Sequence, residues 1–145
     1  MKNDRISKNS LNPKMGKEFE EKVSKILTER YSIKFETLAI PIGKPSKEHK
    51  FDLVSEDKKY IVECKCYSWT EGGNIPSAKM AILNEAVFYL SHVSKDKDRW
   101  IVMKKDFSIE RQKTLARYYF QINQHLLDGV KIWEVDESGN ISEIS

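Results

Sequence analysis

The run Tyr60-Ile61-Val62-Glu63-Cys64-Lys65-Cys66 reads as an apolar strand, yet it carries two charges. Side chains alternate between the faces of a strand, so Glu63 and Lys65 project on one side, roughly 7 Å apart. Charges on so apolar a strand are costly to bury without partners. Asp52, eleven residues before Glu63, falls on what reads as the preceding strand of a hairpin. A carboxylate pair with an ammonium beside it is the equipment of metal-dependent phosphodiester hydrolysis, and that chemistry is the first expectation.

The tripeptide alone would not justify it. Asp/Glu-x-Lys occurs five times, starting at Glu20, Glu48, Glu56, Asp57 and Glu63. The first four copies sit in charged helix or turn sequence, where solvated surface accounts for them. The Glu63 copy is the one inside an apolar alternating run. At 145 residues the chain suits one domain with one core. A net charge of +3 permits nucleic-acid binding without arguing for it. Cys64 and Cys66 are the two cysteines, spaced so that both face away from Glu63 and Lys65 as small core residues. A zinc site lacks a second cysteine pair, with histidines scattered at 49, 92 and 125, and a disulfide between strand positions two apart fails on geometry. A reducing, cytoplasmic location is expected. No signal peptide opens the sequence, and no apolar run approaches the roughly 18 residues of a membrane span.

Residues 1–13 read as a polar mobile arm, 14–136 as the folded domain and 137–145 as a polar tail. An amphipathic helix is expected over 14–30, then a strand over 35–42, a basic loop over 44–50 and a hairpin of 51–54 with 59–67, turning at 55–58. A Gly/Pro-containing loop, 68–76, leads to a buried helix over 77–93 with Ser77 as N-cap. A strand (99–104), a helix (109–127, stopped by Gly129) and a last strand (130–135) complete an α-β-β-β-α-β-α-β order. Helices between some strands and a hairpin between others imply an α/β fold with a mixed central sheet.

This order, with Asp52 and Glu63-x-Lys65 on consecutive strands after an N-terminal helix, resembles the PD-(D/E)xK nuclease superfamily, particularly its Mrr-like and Holliday-junction-resolvase-like members. The resemblance spans about residues 14–135; Phe51 stands where the motif's name has proline. It implies a restriction-endonuclease-like three-layer fold and a Mg²⁺-dependent DNA endonuclease, with Mn²⁺ an expected substitute. Asp52, Glu63 and the backbone carbonyl of Cys64 would be metal ligands, and Lys65 would orient or deprotonate water and stabilise charge at phosphorus. Gly16-Lys17-Glu18-Phe19-Glu20 matches the Gly-x-x-x-Glu pattern of the first helix in those members, which nominates Glu20 as a further carboxylate. Helix geometry agrees, because Glu20 shares a flank of the apolar face with Val23 and Leu27, while Glu18 and Glu21 lie with Lys22 and Lys25.

DNA contacts are expected from His49, Lys44, Lys47, Lys50, Lys79, Asn84 and Trp69, with Lys2, Arg5, Lys8, Lys14 and Lys17 as further phosphate contacts. No separate DNA-reading module is present, and a homodimer would bring two sites to a duplex; an unidentified protein partner is compatible. Two other readings compete: a catalytically inactive nuclease-fold protein serving as a DNA-binding or assembly subunit, and an unrelated α/β interaction domain whose strand carries an ion pair.

Overall fold

The computed structural model describes residues 13–145. The expected arm, with Lys2, Arg5 and Lys8, lies outside them except for Pro13, which opens α1 (Pro13–Tyr31). Proline suits that first position because its missing N–H would lack an intrahelical partner anyway. Three strands follow, β1 (Phe35–Ile42), β2 (Lys47–Ser55) and β3 (Tyr60–Lys65). Then come α2 (Ser77–Leu90), β4 (Asp98–Lys104), the short pair β5 (Phe107–Ser108) and β6 (Lys113–Thr114), α3 (Leu115–Asn123), β7 (Lys131–Val135) and β8 (Ile141–Glu143).

The fold is α/β around a mixed six-stranded sheet in the order β1-β2-β3-β4-β7-β8. β1, β2 and β3 are antiparallel neighbours, β3, β4 and β7 run parallel, and β8 returns antiparallel beside β7. The two parallel crossovers, through α2 and α3, step in the same direction along the sheet. With right-handed connections this puts both helices on one face. The packing agrees. Leu83 and Leu90 of α2 and Leu115 and Tyr119 of α3 share a core with Ile61, Ile101 and Ile132. On the opposite face Phe19, Val23 and Leu27 of α1 pack on Leu53, Val62, Trp100 and Val102. Each fully buried aliphatic side chain of this kind contributes about 1.5–3 kcal/mol.

Four sequence expectations differ from the structure. The basic loop is shorter than expected, since the chain turns at Gly43 (φ +78°) and resumes pairing at Lys47, opposite Ile42. Ser77 begins α2 rather than capping it; the Pro76 carbonyl accepts from the amides of Lys79 and Met80, and the helix ends at Leu90 rather than residue 93. The helix expected over 109–127 starts at Leu115, where the Thr114 hydroxyl accepts from the Arg117 amide at 3.1 Å. Ahead of it, Ser108 accepts the amides of Arg111 and Gln112 and folds 107–114 into a hairpin. Finally, residues 141–143 of the expected polar tail form β8.

Arg99 ties these layers together. It is 5% exposed on β4, and its guanidinium donates to the carbonyls of Leu90 (3.2 Å) and Asp128 (2.8 Å). It thereby satisfies a carbonyl at the C-terminus of α2 and anchors the turn before β7. A Cβ at Gly129 would lie 2.5 Å from its Nη2, and φ there is +87°, so glycine is required twice over. Arg99→Ala removes the side-chain donor to the Asp128 carbonyl and leaves the Leu90 carbonyl with the Val93 amide alone. Urea denaturation should find the variant about 2–3 kcal/mol less stable.

Candidate functional site

The site begins with an irregularity in β2. Phe51 and Val54 are three residues apart, yet both pack into the core beneath α2 and α3. Strict alternation forbids this. The register accounts for it: Val54 lies opposite Glu36 and Phe51 opposite Leu38, so Asp52 and Leu53 together face Thr37. This is a bulge, which re-aims the side chain at the extra residue. Thr37 Oγ1 fixes it by donating to the Asp52 carbonyl at 2.8 Å.

Beyond the bulge β2 parts from β3. Their paired residues are Leu53 with Val62 and Val54 with Ile61. At the next step carboxylates replace the ladder. Asp52 Oδ2 accepts the Cys64 amide at 2.8 Å, and Glu63 Oε2 accepts the Asp52 amide at 3.0 Å. Lys65 Nζ lies 3.7 Å from the other Glu63 oxygen, Oε1. From α1, the Glu20 carboxyl hydrogen-bonds Asp52. The Cys64 carbonyl leaves the strand on the same edge as its amide, toward Asp52. Glu20, Asp52, Glu63 and Lys65, expected from three separate elements, are therefore brought together.

Like charges here are crowded and partly dry. Burial first, and the Asp52 charge second, raise the Glu63 carboxyl to about 7. Burial first, then the Asp52 charge and the hydrogen bond to it, raise Glu20 as well, against the opposing charge of Lys17. Burial pulls on the Lys65 ammonium in the opposite sense, but Tyr67, Glu63 and Asp52 together outweigh it and raise the group. The Cys64 thiol, buried and near the carboxylates, is pushed well up and stays neutral. Cys64 and Cys66 pack toward α1, as alternation requires.

Among the described residues, no group of three or more His, Cys, Asp or Glu side chains is arranged to hold a metal ion. Asp52 Oδ2 and Glu63 Oε2 are turned to backbone amides instead. The donor chemistry nevertheless fits a hard cation. Carboxylates and a carbonyl supply oxygen alone, which suits Mg²⁺ or Mn²⁺, and crowded negative charge is what a divalent ion relieves.

The expected DNA contacts divide. Lys44 in the turn and Lys47 and Lys50 on β2 are exposed, as are Lys14 and Lys17 on α1. Lys79 Nζ lies 5.2 Å from the centroid of the Tyr67 ring. His49 is occupied: its ring stacks on Tyr89 at 4.0 Å between centroids and meets Phe51 edge-on at 4.7 Å, bracing β2 against α2. Asn84 accepts the Tyr119 hydroxyl at 2.7 Å, a bond between α2 and α3. Trp69, 5% exposed, packs against Tyr118 within the core and presents no ring to a ligand. Sequence reasoning missed Tyr67, although alternation from Glu63 and Lys65 puts it on their face. It is half-buried and electrostatically coupled to Lys65, Asp52 and Glu63.

Comparison of the chain with family models, curated proteins and solved structures finds no match in any of the three.

The crowding has a measurable cost. Gln at position 63 retains an oxygen for the Asp52 amide and removes the buried charge. In EDTA at pH 8, Glu63→Gln should unfold at higher denaturant, with a gain of roughly 2 kcal/mol. An acid raised by burial is destabilising when ionised, so the gain is full above about 7 and vanishes below the ordinary value of 4.5.

Proposed function

We propose that this chain is a metal-dependent DNA endonuclease of the PD-(D/E)xK superfamily, with a restriction-endonuclease-like fold. One observation carries the reading: carboxylates from α1, β2 and β3 converge with Lys65 where β2 and β3 separate. A structural ion pair needs one carboxylate for one ammonium. Here three carboxyl groups crowd together at a gap in the sheet, with Lys65 among them and exposed Lys17 near Glu20, an arrangement that costs stability and suits a cation.

Asp52, Glu63 and the Cys64 carbonyl would hold Mg²⁺ or Mn²⁺, with Glu20 beside them. When bound, the ion supplies Lewis-acid charge to the phosphate and acidifies the attacking water. The rest falls to the protein. Glu63 orients Lys65 through its Oε1, and Lys65, kept protonated, offers charge and N–H donors to the negative charge that develops at phosphorus. Glu20 stands against Asp52 and adds to the negative charge that a cation would relieve. Lys44 in the turn and Lys47 and Lys50 on β2 offer phosphate contacts. Cutting both strands of a duplex takes two such sites, so a homodimer belongs to the proposal, as does a cytoplasmic location; among the described residues no helix is long and apolar enough to cross a membrane.

A second reading, a non-catalytic nuclease-fold subunit that binds DNA or assembles with a partner, has one observation in its favour. Asp52 Oδ2 and Glu63 Oε2 already serve the backbone, a role that needs no ion.

Supercoiled plasmid and a branched DNA, each incubated with Mg²⁺ or Mn²⁺, separate the two. The nuclease reading expects nicking or cutting that EDTA abolishes and that Lys65→Ala lowers roughly a hundredfold or more. DNA binding without cleavage would favour the non-catalytic subunit.

A further inference from the structure

The hairpin formed by β5 and β6 is braced against the loop after β3, lies at the same end of the sheet as the carboxylates, and exposes apolar side chains that the fold does not use. Phe107 is 55% exposed and Ile109 76%. Phe107 lies on β5 and Ile109 opens the four-residue turn that joins β5 to β6, so both stand at the exposed end of one short hairpin. Several bonds tie the hairpin to its neighbours. The Asp106 carboxylate accepts the Trp69 amide at 2.9 Å, and Arg111 Nε donates to the Gly73 carbonyl at 2.8 Å. The Arg111 guanidinium also lies over the Trp69 and Tyr118 rings, at 5.4 and 5.8 Å from their centroids. At Gly73 a Cβ would lie 2.8 Å from Ser108 Oγ, so the loop after β3 and the hairpin meet at backbone distance. Two large apolar side chains on a braced element cannot fold back to escape water.

Position and charge point to the occupant. Lys65 pairs with Met103 across the parallel ladder, and Phe107 follows Met103 by four residues. Chain geometry keeps those two Cα atoms within about 14 Å of each other, so the hairpin and the carboxylates fit within one turn of a duplex, ~34 Å. Residues 104–113 carry Lys104, Lys105, Arg111 and Lys113 against Asp106 and Glu110. Asp106 is engaged on the Trp69 amide, and exposed Glu110 accepts from Ser108 Oγ at 3.2 Å. Arg111 is held at Gly73 and Lys113 donates to Gln121 Oε1 at 2.8 Å, so Lys104 and Lys105 are the cations that remain for a ligand. An apolar pair set among cations matches a nucleic acid, whose bases are apolar on their faces and whose backbone is anionic.

We propose that the β5–β6 hairpin is a DNA-contacting wedge, with Phe107 and Ile109 entering the base stack beside the carboxylate site and Lys104 and Lys105 meeting the flanking phosphates. It rests on the nuclease reading for its choice of DNA, and it assigns that site a substrate whose bases are unstacked near the cut, such as a branched or distorted duplex. Apolar side chains inserted at a base step unstack it and kink the duplex.

The test uses the full chain and a duplex with a 2-aminopurine beside a branch point, whose fluorescence rises when the base unstacks. Binding is followed with Lys65→Ala, so that cleavage does not interfere, and compared with Lys65→Ala carrying Phe107→Ser and Ile109→Ser. Circular dichroism checks folding, and Phe107→Tyr, which keeps an aromatic face, serves as the conservative variant. The wedge predicts a fluorescence rise with the parent and with Phe107→Tyr. The double serine variant should lose the rise and bind roughly tenfold or more weakly. Equal fluorescence and affinity in parent and double variant would overturn it. Loss of self-association in the double variant, with DNA binding unchanged, would make the surface a protein contact and overturn it too. Cleavage by the native protein is scored separately. Unstacking without cleavage keeps the wedge and sinks the nuclease reading, whereas cleavage without unstacking does the reverse.

Discussion

Where β2 and β3 separate, two carboxylates take the place of two ladder bonds, and much of the local architecture follows from that substitution. A sheet that opens in its interior leaves amides without partners, which is expensive away from water. Asp52 Oδ2 takes the Cys64 amide and Glu63 Oε2 takes the Asp52 amide. The opening therefore persists without orphaned donors. It also concentrates negative charge, because the groups that satisfy the backbone are themselves anions. The bulge opposite Thr37 aims Asp52 into the gap, α1 brings Glu20 to it, and Lys65 moderates the charge without cancelling it.

The strain is local because the surrounding layers are well packed. Ile61 and Val62, immediately before Glu63, are fully buried on opposite faces of the sheet, and the equally buried Ile101 and Val102 lie beside Glu63 and Cys64 on β4. A strand pinned on both faces holds its next residues in place even where like charges repel. The site thus trades stability for a preorganised charge distribution, a trade the rest of the core can support.

Much of this was legible in the sequence because alternation and helical period are short-range signals. The faces of Glu63, Lys65, Cys64 and Cys66 follow from the period of a strand, and the flank of Glu20 from the period of a helix. The bulge was not legible: it depends on how Asp52 and Leu53 pair with a neighbouring strand, and neither residue marks it. The β5–β6 hairpin was missed because Ile109 and the charged residues after it continue a helical pattern, while the decisive bonds, from Trp69 to Asp106 and from Arg111 to Gly73, span more than thirty positions. Asn84, His49 and Trp69 read as ligand contacts from composition and neighbourhood. Tertiary packing assigns them to Tyr119, Tyr89 and Tyr118 instead.

Binding of Mn²⁺, followed by calorimetry or by the paramagnetic signal of the free ion, addresses the central claim most directly. Asn at position 52 keeps an oxygen for the Cys64 amide while removing the charge, so it separates the structural role of this residue from its role toward a cation. The account predicts saturable binding by the native chain and at least tenfold weaker binding by a folded Asp52→Asn variant. Equal affinity in the two proteins, or no saturable binding by the native chain, would contradict it and leave the carboxylates as replacements for the ladder alone.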